Sequence, residues 1–551
     1  MMRLKYCVTG VVVSALSWSV LAAVQPDAGQ TLRNLQQAPL QLPSKQTLEL
    51  NLPDAPSSDA SASGPSLVVN GFTLNGNSAF NGDELLALLA DLQGRSVSLG
   101  ELQGGANRIT VYYRERGYPL ARAYIPAQEI DAGVVQIGVL EGRYGEVQVD
   151  NNAGVKGAAL APLNALKSGD AVHGDALERS LLLLNDIPGI EVKSTLTPGA
   201  SVGATDLLVN VLPGKLLDGS VDLDNFGNRY TGEYRLGASL NLNSPLGLGD
   251  RLSLRAMGSD EQQHYYRIGY QLPIGPWATQ LGVAYSDMDY QLSKDFEELD
   301  AHGNARISSV YVLQPLLRSR DFSLYAQLQF DDKRLKDDID LFSSKADKRS
   351  RVVIASLSGN SQDRLFGGGV NAFSVAWAQG SLSIDGAFNQ LIDDLTAGTR
   401  GRFHKITPSI VRLQRLTERF SLYGQVQGQW ADGNLDSSEK FSLGGIYGVR
   451  AYPQGEASGD QGWLANLELR YALTEAWQLS GFVDHGQARL NKNTWSVGDN
   501  QRSLSGAGLG ARWAAYGWQV NALAAWKLGN ADAQSDVERS PRIWAQVVRH
   551  F

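Results

Sequence analysis

From Lys215 to the C-terminus apolar and polar residues alternate with a period of two. In residues 420–430, Leu422, Gly424, Val426, Gly428 and Trp430 alternate with Ser421, Tyr423, Gln425, Gln427 and Gln429; residues 322–331 repeat the scheme with Leu324, Ala326, Leu328 and Phe330. The polar face is rich in glutamine and poor in charge. That suits a wet interior better than the outside of a soluble sandwich, so residues 215–551 are expected to form a transmembrane antiparallel β-barrel. At about 20 residues per strand and connection the segment fits about 16 strands. One hairpin is explicit, with Tyr234 to Asn243 and Arg251 to Met257 flanking a Pro/Gly-rich turn at 244–250. The last strand places Ile543, Ala545, Val547, Arg549 and Phe551 on one face, where Arg549 is a departure tolerable at a membrane edge.

Ahead of this region the period lengthens. Residues 66–144 read as strand, helix, helix, strand, strand, opened by Leu67 to Val69. Capping boxes are expected at Asn81 with Glu84 and at Ser98 with Glu101, and the second helix places Leu102, Ala106, Ile109 and Tyr113 on one face before Gly117 ends it. The closing strands are Ala121 to Ile125 and Val134 to Leu140. Residues 145–214 repeat the order, with Val147 and Val149 in a strand, Leu177, Leu181 and Leu184 on a helix face, and strands at Ile190 to Leu196 and Leu207 to Leu212. Two small α+β domains therefore stand in tandem. Before them, residues 24–38 contain a short helix at Gln30 to Gln37, and 39–65 form a Pro/Ser-rich flexible linker.

Residues 1–23 read as a signal peptide: Arg3 and Lys5 precede an apolar stretch, Val8 to Leu21, and small residues for cleavage. The lone cysteine, Cys7, lies in that segment, so disulfide and thiolate chemistry are not expected of the mature chain. A net charge of −8 argues against nucleic acid as a partner. Gly199 to Gly203 fits G-x-S-x-G but joins two strands, which makes it a hairpin turn and not a nucleophile elbow. The six histidines lack metal-ligand spacing, and phosphate-loop and dinucleotide fingerprints are missing, so neither cofactor, metal nor enzymatic activity is expected.

Three further motifs carry a resemblance: Asp224-Asn225-Phe226-Gly227-Asn228-Arg229-Tyr230 at the barrel start, Gly448-Val449-Arg450-Ala451-Tyr452 in a Gly-rich connection, and Phe482-Val483-Asp484-His485-Gly486 in a strand. With the order of parts, they make the chain resemble the TpsB transporters of two-partner secretion, with the α+β units as POTRA domains. Parity alone puts Asp484 inward with Phe482 and Gly486. On residues alone Arg450 could equally be a solvated loop arginine and Asp484 a carboxylate paired elsewhere. The resemblance implies that the loop folds into the barrel and that Arg450 pairs with Asp484. Ala451 departs from the family's glycine, which puts in question any loop geometry needing a positive φ there.

The resemblance further implies an outer-membrane pore with its N-terminal domains in the periplasm. It would take up an unfolded TpsA-type β-helical partner (adhesin, haemolysin or toxin) and export it, with activation of the partner as a further implied role. Residues 24–38 would be a plug helix; on composition alone they could equally be a disordered leader. Outer-membrane lipid and the barrel-assembly machinery are the other implied partners, with Phe551 as the membrane-insertion signal. An assembly factor of the same superfamily is the alternative, though such proteins usually carry more POTRA units. A passive porin would leave the periplasmic units unexplained.

Overall fold

The structure is a computed structural model that describes residues 25–36, 40, 42, 49–51 and 66–551. The expected signal peptide with Cys7, and most of the linker, lie outside these residues.

Sixteen antiparallel strands close into a barrel from Leu217–Asp224 to Arg542–His550, and the last strand pairs with the first, Ser220 opposite His550 and Asp224 opposite Gln546. Closure leaves no unpaired edge, which a strand in lipid could not tolerate. Val426, Leu467, Val483 and Ile543 are exposed on the outside, whereas Gln425, Asn466, Asp484 and Trp544 are buried inward, so the period of two is the pleat of a wall that is apolar outside and polar inside. Among the described residues no helix is long and apolar enough to cross a membrane.

One rim has short turns, such as 319–321 and 416–419, and carries the α+β units. Arg318 there donates to both oxygens of Asp186 at 2.7 and 2.9 Å, and the Arg320 N–H donates to Glu178 at 2.6 Å. The opposite rim carries the long connections. In the first unit the helix Leu99–Glu115 packs on a sheet in which Gly71–Asn75 runs parallel, and Arg122–Tyr124 antiparallel, to Val134–Leu140. Ser98 and Glu101 form the expected capping box. Asn81 accepts only from the Asp83 N–H, because Glu84 turns instead to the Tyr112 hydroxyl, so the reciprocal arm of that box is missing. The opening residues, Ser66–Val68, pair with Ser96–Ser98 and stay out of the main sheet.

The second unit packs the helix Gly174–Asn185 on Arg143–Asn151, Ala204–Pro213 and Ile190–Pro198, with 199–203 as the hairpin connection. Its outer strand is covered by a piece of the linker: Glu49–Asn51 runs parallel to it, Leu50 opposite Ser194. The helix Ala28–Gln36 lies inside the barrel, with Ala28 and Leu32 buried against Tyr230, Met257, Met288 and Leu335.

Glu141 closes the first unit at its junction with the second. Its carboxylate accepts from the backbone N–H groups of Ser78 and Ala79 at 2.5 and 2.7 Å, from the Tyr113 hydroxyl at 2.9 Å and from Arg143 at 3.0 Å. Burial pushes its pKa up, but the bonds from Ser78, Ala79 and Tyr113 outweigh this and hold it below the usual glutamate range. Its stabilisation is therefore present above the unfolded-state pKa, about 4.3, and fades as pH falls through the lower folded value. Glu141→Gln is expected to leave donors unpaired at a cost of about 1–3 kcal/mol at pH 7 and to remove this acid dependence, measured as protease susceptibility of the N-terminal units across pH 3–7.

Candidate functional site

The strands Gln461–Ala472 and Trp477–Arg489 pair with Asn466 opposite Asp484 and Glu468 opposite Phe482. The pleat turns all four to the lumen. The connection before them, residues 443–460, folds into the barrel instead of rising from its rim, and the close approach explains Gly486: a Cβ there would stand 2.8 Å from Leu443 Cδ2 and from the Trp463 carbonyl.

Arg450 reaches Asp484 through a two-pronged contact, Nε to Oδ2 at 2.9 Å and Nη2 to Oδ1 at 2.8 Å, and its backbone N–H donates to Oδ2 at 3.0 Å. The third guanidinium nitrogen, Nη1, donates to Glu468 at 2.8 Å, the guanidinium carbon lies 3.4 Å from the Phe482 ring centroid, and the Arg450 carbonyl accepts from the Trp544 indole at 2.7 Å. Asp484 is 0% exposed and also accepts from Asn466 at 2.8 Å. Arg470 donates to Glu468 at 2.9 Å, so two guanidinium groups face two carboxylates and the cluster is neutral. A buried guanidinium needs this degree of pairing.

The neighbours of Arg450 seat the loop. Val449 is buried and its N–H donates to the Leu443 carbonyl at 2.7 Å; Tyr452 is buried and its hydroxyl donates to Ala531 at 2.9 Å. Ala451 does not adopt a positive φ, and its methyl faces Gly506, where a Cβ would stand 2.7 Å away. The methyl is accommodated by the missing side chain opposite, and no glycine is required. Farther along, Glu456 accepts from Arg502 at 2.7 Å and from Ser535 and Gln534, fixing the loop's return.

The barrel-start motif meets this loop. Asp224 accepts from Arg235 at 2.8 and 3.2 Å and caps the Phe226 N–H at 2.9 Å, and Phe226 packs edge-on against Tyr447 of the loop and against Trp544. Asn225 exchanges side-chain hydrogen bonds with the backbone of Ile543 and Ala545, prolonging the seam between first and last strands. Gly227 abuts the Gly232 carbonyl with no room for a Cβ. Asn228 donates to the Gln454 carbonyl at 3.3 Å, Tyr230 is buried in the cluster around the lumen helix, and Arg229 stands apart, 3.8 Å from Asp295. Phe551 exchanges backbone hydrogen bonds with Gly219 at the other end of the same seam.

The lumen helix adjoins a second ionic group. Glu439 takes Lys333 at 2.6 Å and Lys405 at 2.7 Å, and Asp436 takes Lys348 at 2.9 Å. Asp27 accepts from Ser437 at 2.6 Å, Arg33 donates to the Lys440 carbonyl at 2.5 Å and to Ser458 at 2.7 Å, and the Ala28 N–H donates to Asp337 at 2.7 Å. Beside it lies a cavity of about 600 Å³ lined by Gln425, Gln427 and Gln429. Sequence reading missed Glu468, Asn466, Trp544, Glu439 and Glu456. For Asn466 and Glu468 a signal existed, since both occupy the inward parity of a strand whose Leu467 and Leu469 face lipid.

Arg450→Ala is expected to leave two buried carboxylates short of a partner and to lower the temperature at which the barrel loses its compact gel mobility, a cost of about 3–5 kcal/mol. Arg450→Lys, which cannot make the two-pronged contact, is expected to recover only part of it.

Residues 203–513 match the family model described as haemolysin secretion/activation protein ShlB/FhaC/HecB, and residues 67–142 match a POTRA domain of ShlB type. The heme/hemopexin transporter protein HuxB of Haemophilus influenzae is 29% identical over 569 residues, covering 100% of both chains. The outer membrane transporter CdiB of Dickeya dadantii is 25% identical over 83% of this chain and 78% of its own. The structure of CdiB from Escherichia coli superposes with a TM-score of 0.73 at 20% identity, covering 95% of this chain and 96% of that one.

Proposed function

The chain belongs to the ShlB/FhaC/HecB family of haemolysin secretion/activation proteins, the TpsB transporters of two-partner secretion, and from that premise we propose how its residues divide the work of export. It is an outer-membrane barrel that exports a TpsA-type partner protein, with its POTRA region in the periplasm. Residues 24–38 act as the plug and 39–65 as its tether; 66–144 and 145–214 are the two POTRA domains that receive the client, and 215–551 are the pore. The client is a β-helical surface protein, taken up unfolded.

Receipt proceeds by strand addition, because backbone hydrogen bonds bind an extended segment with little demand on sequence. The outer edge of Ile190–Pro198 is held by Glu49–Asn51, so a client adding there displaces the tether. Val449, Arg450, Ala451 and Tyr452 serve as the transport loop, and Phe482, Asp484 and Gly486 as the wall that holds it. The observation carrying this reading is the Arg450 guanidinium shared between Asp484 and Glu468, a charged lock placed in the lumen the client must cross. The barrel-start motif, Asp224 to Tyr230, braces that lock through Phe226 and Asn228. Phe551, at the seam, is the signal by which the barrel-assembly machinery inserts the chain.

With its partner co-expressed, Arg450→Ala is expected to reduce the partner in the medium strongly, to a low but measurable level, while the barrel still reaches the outer membrane. Full secretion by that variant would remove the role given to the loop. The plug is tested separately. The Ser437 hydroxyl donates to Asp27 at 2.6 Å, so Asp27→Cys with Ser437→Cys places two thiols side by side for oxidation to a disulfide. Export is expected to stop when the bond forms and to resume on reduction; export through the oxidised barrel would show that the helix need not leave.

A further inference from the structure

The outer surface of the barrel changes character along three neighbouring strands, Ala301–Arg318, Phe322–Ile339 and Ser344–Asp363. On the middle strand the outward positions run Phe322, Leu324, Ala326, Leu328 and Phe330, nine residues of apolar wall, about the length a tilted strand needs to cross the hydrocarbon. The next outward positions are Asp332 and Arg334. The Phe322 end adjoins the POTRA region through Arg318 and Asp186, so the charged end faces the cell exterior, directly above the lipid-facing band.

At this level Arg306, Arg334 and Arg349 stand in one row, each directly opposite the next across the sheet, and Arg351 lies opposite Asp332 one step nearer the membrane. Like charges directly opposite one another repel and destabilise a sheet. Among the described residues two carboxylates pair with the four arginines. Asp287 takes Arg306 at 3.1 Å. Asp332 is shared by Arg349 at 2.7 Å, Arg351 at 3.6 Å and Arg334 at 3.7 Å. Arg306, Arg334 and Arg351 are 55–63% exposed at the side chain, so their donors face outward beside the wall that contacts lipid.

We propose that this arginine ledge binds the phosphate groups of phosphorylated glycolipids in the outer leaflet. Guanidinium forks match phosphate oxygens two at a time, and an anion seated across the row turns its repulsion into binding. An acidic stretch of client is the weaker candidate, since the ledge faces away from the lumen and continues the lipid-facing wall. The site rests on the reading that these strand ends lie outside the cell. That reading is checked on its own by labelling Ser343→Cys, at the adjacent tip, with a membrane-impermeant maleimide on intact cells.

The test uses the full chain in detergent, with unfolding followed by gel mobility as diphosphoryl lipid A, the same glycolipid dephosphorylated, inorganic phosphate or poly-glutamate is added. Diphosphoryl lipid A is expected to raise the unfolding temperature saturably and the other three to have little effect. The combined variant Arg334→Gln and Arg351→Gln, which leaves the Arg349–Asp332 pair in place, is expected to bind lipid A about tenfold or more weakly, and without lipid to be no less stable than the parent. If the combined variant does not fold, Arg334→Gln alone, whose contact with Asp332 is the loosest of the three, serves the same comparison. Equal affinity in the variant, equal stabilisation by the dephosphorylated glycolipid, or an equal effect of inorganic phosphate or poly-glutamate would each overturn the proposal.

Discussion

A guanidinium sealed inside a barrel must have its charge and its donors met within the protein, and Arg450 meets this demand with Asp484, Glu468 and the face of Phe482. Much of the lumen follows from that constraint. Because one partner comes from Trp477–Arg489 and the other from Gln461–Ala472, the loop can dock only where those strands are in register. Glycines then clear the space: Gly486 admits Leu443, and Gly506 admits the Ala451 methyl. Trp544 on the last strand and Phe226 just after the first complete the seat, so the loop bears on the seam that closes the barrel.

The lumen helix depends on the same loop from the other side. Arg33 and Asn34 bond to backbone and side-chain atoms of residues 440–458, and the Glu439 and Asp436 ion pairs tie the approach to the loop to three strands of the wall. Hydrogen bonds hold the helix along its length, and its apolar anchor is small, Ala28 and Leu32 with Leu35 packed beside them. Polar contacts exchange with water at small net cost, whereas a large apolar interface does not. A helix held in this way suits the proposed role of a plug that leaves without an energy source of its own.

How far the sequence could be read follows from which forces act locally. Alternation in residues 420–430 and 322–331 is a direct print of lipid on one face and water on the other, so the barrel and its sixteen strands were legible. The helix faces of the α+β units were legible in a similar way, as a print of sheet on one side and water on the other. The Asn81 box was not, because Glu84 had a better partner in Tyr112, brought close only by tertiary packing. Asp484 could be turned inward by parity, but its pairing with Arg450 joins residues 34 apart through an infolded loop, and no local pattern fixes such a fold. Glu439 and Glu456 sit in that irregular segment, where neither period applies. The strand Glu49–Asn51 owes its existence to the edge it covers, and nothing in its composition announces it.

The lock itself is tested most directly by a double-mutant cycle on partner secretion with Arg450→Gln, Asp484→Asn and the two combined. Groups that act only through one another lose their function once. The double variant should therefore secrete no less than the worse of the two single variants. Losses that multiply, with the double variant falling to the product of the single effects, would mean that Arg450 and Asp484 act independently and that the lock does not govern export.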